Sequence, residues 1–311
     1  MRRLGFGALL VAAACGGGGA SADTGPLVVF NAGSLARPLK AALDSFAARE
    51  GIVVAQEHAG SLESVRKLTD LGKTPDVLAL ADASLFPRLL IPAHTSWYTL
   101  FAENRLVIAY TDRSKFAGEA DSISWPTVLM RRGVETGRSD PDADPNGYRA
   151  LLALQLTERA RAERGLARRL LAAMPERNVR PKEADLVALL QAGELDYIWS
   201  YESMARAAGL RFVRLSDRVD LGTLAESTFY ATASTRVRGA AGSAPLTIRG
   251  EPIVYGLTIP TRAPHRATAE RFVRWLASDA GRAVLRAEGL DALATPVVVG
   301  TGFTLAEPRA P

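Results

Sequence analysis

The chain has 311 residues, of which 48% are hydrophobic and 23% charged, with a formal net charge of +5 and a single cysteine. The length and apolar content suit one large or two ordinary globular domains. The lone cysteine excludes an intramolecular disulfide, and the positive surplus is small and dispersed. Basic residues alternate with acids, as in Arg159-Ala160-Arg161-Ala162-Glu163-Arg164. No dense basic arm or interleaved aromatic stripe marks a nucleic-acid partner.

Arg2 and Arg3 precede an apolar run from Leu4 to Ala14. That run falls short of the ~20 apolar residues of a membrane span and has the form of an export signal. Cys15 follows Ala12-Ala13-Ala14 and precedes Gly16. This arrangement resembles a bacterial lipobox, with Ala12 where leucine is usual. The expectation is a lipoprotein-type signal over 1–15 with lipid attached at Cys15; the alternative is a plain secretory signal cleaved nearby. The Gly- and Ser-rich stretch that follows is expected to be a flexible tether over 16–26.

Leu27-Val28-Val29-Phe30 is a short apolar run that predicts a strand. After Gly33-Ser34 a helical pattern reaches Ala48, with Leu35, Leu39, Leu43 and Phe46 on one face. Ile52 to Gln56 predicts a second strand and Ser61 starts a second helix. Asp76 to Leu80 predicts a third strand, leading to a helix over Ser84 to Leu90. Such alternation implies parallel strands with both faces covered, and ligands of such sheets bind beyond the strand C-termini, where Ser34 and Ser61 stand.

Leu106 to Tyr110 predicts a strand carrying the chain into a second lobe. There a strand over Val134 to Thr136, helices after Asp144 and Glu183, and a strand over Tyr197 to Trp199 are expected. Arg236 to Arg249 reads as a surface hairpin or loop. Val254 to Ile259 predicts a late strand, followed by an amphipathic helix over Ala267 to Ala277 that returns to the first lobe. The expected organisation is a discontinuous first lobe, 27–104 plus 256–300, and a second lobe, 105–255, around a hinged cleft.

Ser139-Asp140-Pro141-Asp142-Ala143-Asp144-Pro145 is a strong helix-start signal, because aspartate caps free N–H groups and proline fits the first helical position. Similar starts lie at Gly33-Ser34-Leu35, Gly60-Ser61-Leu62 and Arg180-Pro181-Lys182-Glu183. Helix N-termini present unpaired donors and partial positive charge, so several together suit a small oxyanion. Each of Ser34, Ser61, Asp144 and Glu183 taken alone also reads as an ordinary helix-start residue, and Tyr201 as core. Their shared position at strand ends and helix starts is what singles them out. His58, His94 and His265 have none of the spacings of a zinc site, and neither a Gly-x-Ser-x-Gly elbow nor a phosphate-binding loop is present.

Seven blocks, in order, resemble the archaeal-type molybdate/tungstate-binding proteins of ABC importers. They are Asn31-Ala32-Gly33-Ser34-Leu35, Gly60-Ser61 through Val65 to Lys73, Ala81-Asp82-Ala83-Ser84-Leu85, and Leu100 through Tyr110. The rest are Asp144-Pro145-Asn146-Gly147-Tyr148-Arg149, Arg180 to Leu186, and Pro252-Ile253-Val254-Tyr255-Gly256. The resemblance runs from about Leu27 to Val299. It implies a type II periplasmic-binding-protein fold, α/β, with a hinged cleft between mixed sheets. It further implies Ser34 and Ser61 on the oxo groups, Asp144 and Glu183 bonded to Mo or W, and Tyr201 donating its hydroxyl from the opposite wall. The chain departs from the family at Asn146, where many relatives carry cysteine, and in a shorter connection between Leu156 and Arg180.

The function that this resemblance implies is capture of molybdate or tungstate outside the cytoplasm and delivery to an ABC permease, by a monomer with no cofactor. Two alternatives stay open: capture of another oxyanion or small acid, and an exported enzyme using Asp144 and Glu183 as acid and base.

Overall fold

A computed structural model describes residues 25–239 and 244–306; the leader, Cys15 and nearly all of the expected tether lie outside the described residues. Two mixed sheets organise the chain. The larger has six strands in the order β13-β4-β12-β3-β1-β2. They are β1 (Leu27–Ala32), β2 (Val54–Ala59), β3 (Val77–Leu80), β4 (Trp97–Asn104), β12 (Ile253–Thr258) and β13 (Asp291–Gly300). The smaller has five in the order β7-β6-β8-β5-β9. These are β5 (Leu106–Tyr110), β6 (Thr136–Ser139), β7 (Val179–Arg180), β8 (Tyr197–Tyr201) and β9 (Arg211–Arg214). A separate hairpin pairs β10 (Ser234–Val237) with β11 (Leu246–Arg249).

Parallel pairing, expected from the strand-helix alternation, holds for β1 with β2 and β3, and for β6 with β7 and β8. Elsewhere the strands run antiparallel. β12 returns from late in the chain to lie between β3 and β4, and β13 closes the edge beside β4. In the smaller sheet β5 is antiparallel to both β8 and β9. β4 passes into β5 through Arg105 alone, and this single residue carries the chain from the six-stranded sheet to the five-stranded one. β12 includes Ile253 to Tyr255, so the break expected at 255/256 falls inside a strand of the six-stranded sheet.

The helical expectations hold over Ala36–Glu50, Ser61–Thr69, Pro145–Arg161, Glu183–Ala192 and Arg266–Ala277. The segment over Ser84 to Leu90 is instead a single wide π turn, Phe86–Leu90, ended before Pro92. The Arg266 helix buries Ala269, Phe272, Val273 and Leu276, and Phe46 of the Ala36 helix meets Phe272 edge-on at 5.3 Å. One apolar core runs through both sheets, and a smaller cluster of Val107, Leu186, Leu190 and Ile198 underlies the five-stranded one.

Two glycines set the spacing around the cleft. A Cβ on Gly60, from the six-stranded side, would lie 2.0 Å from the carbonyl oxygen of Ala143, from the other. A Cβ on Gly147 would lie 2.4 Å from the Ser139 carbonyl, so only glycine lets the Pro145 helix approach the end of β6.

Candidate functional site

The helix starts at the cleft are not alike. Asp144 is a true cap: its backbone is extended (φ −131, ψ 131) and its Oδ1 accepts the Asn146 N–H at 3.1 Å. Its other oxygen, Oδ2, accepts the backbone N–H of Glu183 at 3.1 Å, tying the start of one helix to the start of the next. Neither serine caps. Ser34 sits in a 3-10 turn without a side-chain cap bond, and Ser61 is the first residue of a helix whose N-cap is Gly60. The simple capping role expected of each serine taken alone is therefore absent, and both hydroxyls are free for other work.

That work is visible in the hydrogen bonds they accept. Ser61 Oγ accepts from the Ala81 N–H at 3.0 Å, just past β3. Ser34 Oγ accepts from the Tyr255 hydroxyl at 3.2 Å, and Tyr255 in turn accepts from Asn104 Nδ2 at 2.7 Å. Tyr201 Oη accepts from Arg149 Nη1 at 2.7 Å. All three hydroxyls thus receive a protein donor, and none of their own protons reaches an acceptor among the described residues. A hydroxyl has one proton to give. Three such protons remain for whatever the cleft holds.

Between them lies an acid pair. Asp144 is 5% exposed and Glu183 0%. Glu183 Oε1 accepts from the Ser200 hydroxyl at 2.6 Å and the Tyr201 N–H at 2.7 Å. Its Oε2 is buried without a hydrogen-bond partner. Burial pushes the Glu183 carboxyl up to about 8, and the neighbouring charge of Asp144 adds to this. Burial likewise raises Asp144 to about 6, against the N–H groups of Asn146 and Glu183 that favour its charge. The pair therefore retains a proton at neutral pH. Burial also pushes the Tyr201 phenol well above its ordinary range, so it stays a donor.

The structure thus brings Ser34, Ser61, Asp144, Glu183 and Tyr201 into one buried neighbourhood. The rings of Tyr201 and Tyr255 meet edge-on at 6.1 Å, linking the Ser34 wall to the Tyr201 wall. Sequence reasoning gave no role to Asn104, Arg149, Ser200 or Tyr255, which hold these groups in place. One signal was readable: Arg149 stands on the same helical face as Leu152 and Leu156, where a charge needs a buried partner. Among the described residues no three His, Cys, Asp or Glu side chains gather to hold a bare metal cation. A surface trough of about 770 Å³ lies elsewhere, over Phe46, Arg271, Arg274 and Trp275. Its charges are already paired, Arg271 with Glu50 and Arg274 with Glu270, and it is open to solvent, so the buried hydroxyl-and-acid site is the better candidate.

Comparison with known proteins agrees with this architecture. A family model described as bacterial extracellular solute-binding protein matches residues 27–291. An uncharacterized solute-binding protein of Petrotoga mobilis is 42% identical, over 88% of this chain and 85% of that protein. The molybdate/tungstate-binding protein WtpA of Pyrococcus abyssi is 36% identical, over 91% of this chain and 90% of its own. WtpA of Thermococcus kodakarensis is 34% identical, over 88% and 84%. In fold, the chain resembles the periplasmic molybdate-binding protein of Azotobacter vinelandii, with a TM-score of 0.59 at 18% identity over 85% of this chain and 98% of that one. It also resembles the sulfate-binding protein SubI of Mycobacterium tuberculosis, with a TM-score of 0.61 at 14% identity over 86% and 87%. The chain accordingly belongs to the bacterial extracellular solute-binding proteins and groups with their molybdate/tungstate-binding relatives.

Proposed function

We propose that this protein captures tungstate or molybdate in the cleft between its sheets and hands the ion to an ABC permease. The observation that carries this reading is the set of three buried hydroxyls, Ser34, Ser61 and Tyr201, each locked as a donor, around an acid pair with one unpartnered oxygen. A fully deprotonated tetrahedral oxyanion offers only acceptors, which is the complement of that set.

The acid pair decides among oxyanions. An ionised carboxylate about 4 Å from an anionic charge costs ~4 kcal/mol at an effective dielectric near 20. Sulfate would meet that cost from Asp144 and again from Glu183 once ionised. Molybdate and tungstate can turn the same groups to use, because a hard, high-valent metal centre accepts additional oxygen ligands. Glu183 Oε2 and Asp144 would then bond to the metal as the four oxo groups take the hydroxyl and helix-start donors. Closure of the two lobes around the ion would follow from its contacts with both.

Calorimetric titration with tungstate, molybdate, sulfate and phosphate tests this reading. Tungstate and molybdate are expected to bind far more tightly than the others. Equal affinity for sulfate would overturn metal ligation by the acids. Turnover of a substrate by the purified protein would favour the acid/base alternative. We further assign Cys15 as a lipid-anchoring residue, consistent with an exported family and with Ala12-Ala13-Ala14 before it.

A further inference from the structure

Arg149 is 2% exposed and its guanidinium bridges the two sides of the cleft. It stands on the Pro145–Arg161 helix, which packs against the five-stranded sheet. Its Nη1 donates to Tyr201 Oη at 2.7 Å on that side and to the Ala81 carbonyl at 2.7 Å on the six-stranded side. Its Nη2 lies 3.8 Å from Asp82 Oδ1, an ion pair too long for a hydrogen bond. Asp82 is fixed independently, by the Ser84 N–H at 2.9 Å and by the Tyr148 hydroxyl.

These contacts have a chemical consequence for the hydroxyls. With Arg149 on its oxygen, the Tyr201 hydroxyl has its proton left to give. The same guanidinium holds the Ala81 carbonyl, while the Ala81 N–H, in the preceding peptide group, is committed to Ser61 Oγ. One cation therefore sets the donor direction of Tyr201 directly and also fastens Ala81, the residue whose N–H occupies Ser61 Oγ on the opposite wall. A planar guanidinium suits this task, since it presents several N–H groups in a fixed fork, whereas a lysine ammonium is a point charge on a flexible stem.

We propose that Arg149 is a positioning residue of the oxyanion site, orienting Tyr201 as a donor and latching the Pro145 helix to the end of β3. The proposal rests on the reading of the cleft as an oxyanion site. It is tested by a double-mutant cycle of the parent, Arg149→Lys, Tyr201→Phe and the double variant, with tungstate affinity read by calorimetry. Each single variant is expected to weaken binding by ~10-fold or more, and the double variant by no more than ~3-fold beyond the weaker single one, because the two act as a unit. Independent losses that multiply would show that Arg149 does not act through Tyr201, and would overturn the proposal while leaving the oxyanion reading intact. A parent that binds none of the four oxyanions overturns both. Should Arg149→Lys not fold, arginine-selective nitrogen NMR of the parent and Tyr201→Phe supplies the readout. One solvent-protected guanidinium resonance is expected to shift between the two proteins, and the absence of any such shift overturns the proposal.

Discussion

Asp144 holds the backbone N–H of Glu183 at 3.1 Å while capping its own helix at Asn146, so each acid depends on the other for its position. Glu183 in turn receives the Ser200 hydroxyl and the Tyr201 N–H on one oxygen and leaves the other unpartnered. The carboxyls are thus fixed by bonds that leave Glu183 Oε2 available to an incoming centre.

Asp144→Asn and Glu183→Gln are expected to weaken tungstate binding by about 100-fold or more, some 2.8 kcal/mol at 1.4 kcal/mol per decade. Simple electrostatics gives the opposite sign for Asp144→Asn, which removes a negative charge from an anion site, and little change for Glu183→Gln, whose carboxyl keeps its proton at neutral pH. Asparagine also caps helices well, so Asp144→Asn keeps the helix start. Calorimetry on the folded variants separates the two accounts. Unchanged or improved affinity in either variant removes that residue from the metal's ligands.

A pH dependence follows from the same burial. The Glu183 carboxyl, raised to about 8 from an ordinary 4.5, contributes stability fully present below the ordinary value and lost as pH rises through about 8. Asp144, raised to about 6, has the same sign over a lower window. Without added oxyanion, the melting temperature is expected to fall as pH rises from about 5 to about 9, and to fall less in Glu183→Gln. A difference of ~3 °C or more between the two falls over that range is expected for a chain of this size. Parallel curves for parent and variant would sink the assignment.

Gly60→Ala places a methyl group where only 2.0 Å separates it from the Ala143 carbonyl. The approach of the two sides of the cleft must then relax. Tungstate affinity is expected to drop by ~10-fold or more while the Ser61 helix keeps its N-terminal backbone, since only Gly60's own extended φ of −64 is involved. Small-angle scattering with and without tungstate reads the loss of closure directly. A variant that closes and binds like the parent shows that this approach is not needed.

Cys15→Ser is expected to move the protein from the membrane fraction to the soluble fraction of cells. Detergent-free fractionation of both forms, with immunodetection, measures this. Unchanged partitioning counts against a lipid at Cys15.

Much of this architecture was legible where one physical signal dominated. The apolar runs of β1, β3 and β5 read as strands because they are buried on both faces, and Asp144 read as a cap because Asp-Pro leaves few other options. β4 was missed because Trp97–Asn104 alternates buried and partly exposed residues around Thr99 and Glu103, a weaker pattern than a continuous run. β13 was missed because this edge strand exposes most of its length and contains Pro296. The site residues could be named from helix-start chemistry and the family resemblance, but their supports could not. The bonds of Arg149 to Ala81 and Tyr201 span 68 and 52 positions, and no local pattern encodes them. The serines illustrate the converse: residue type suggested caps, whereas tertiary partners 20 and 221 positions away gave them another task.

The placement of β12 between β3 and β4 bears on how this chain is made as well as on what it does. A polypeptide that leaves the cell in order of synthesis delivers β3 and β4 early, yet these strands are not neighbours and wait for Ile253–Thr258 to join them. Such late, long-range pairing is slow to form. The six-stranded sheet is therefore completed only once Ile253–Thr258, in the last fifth of the chain, is available. Hydrogen exchange on a chain ending before Ile253 provides the check: the amides of β3 and β4 should lack the protection they have in the complete protein.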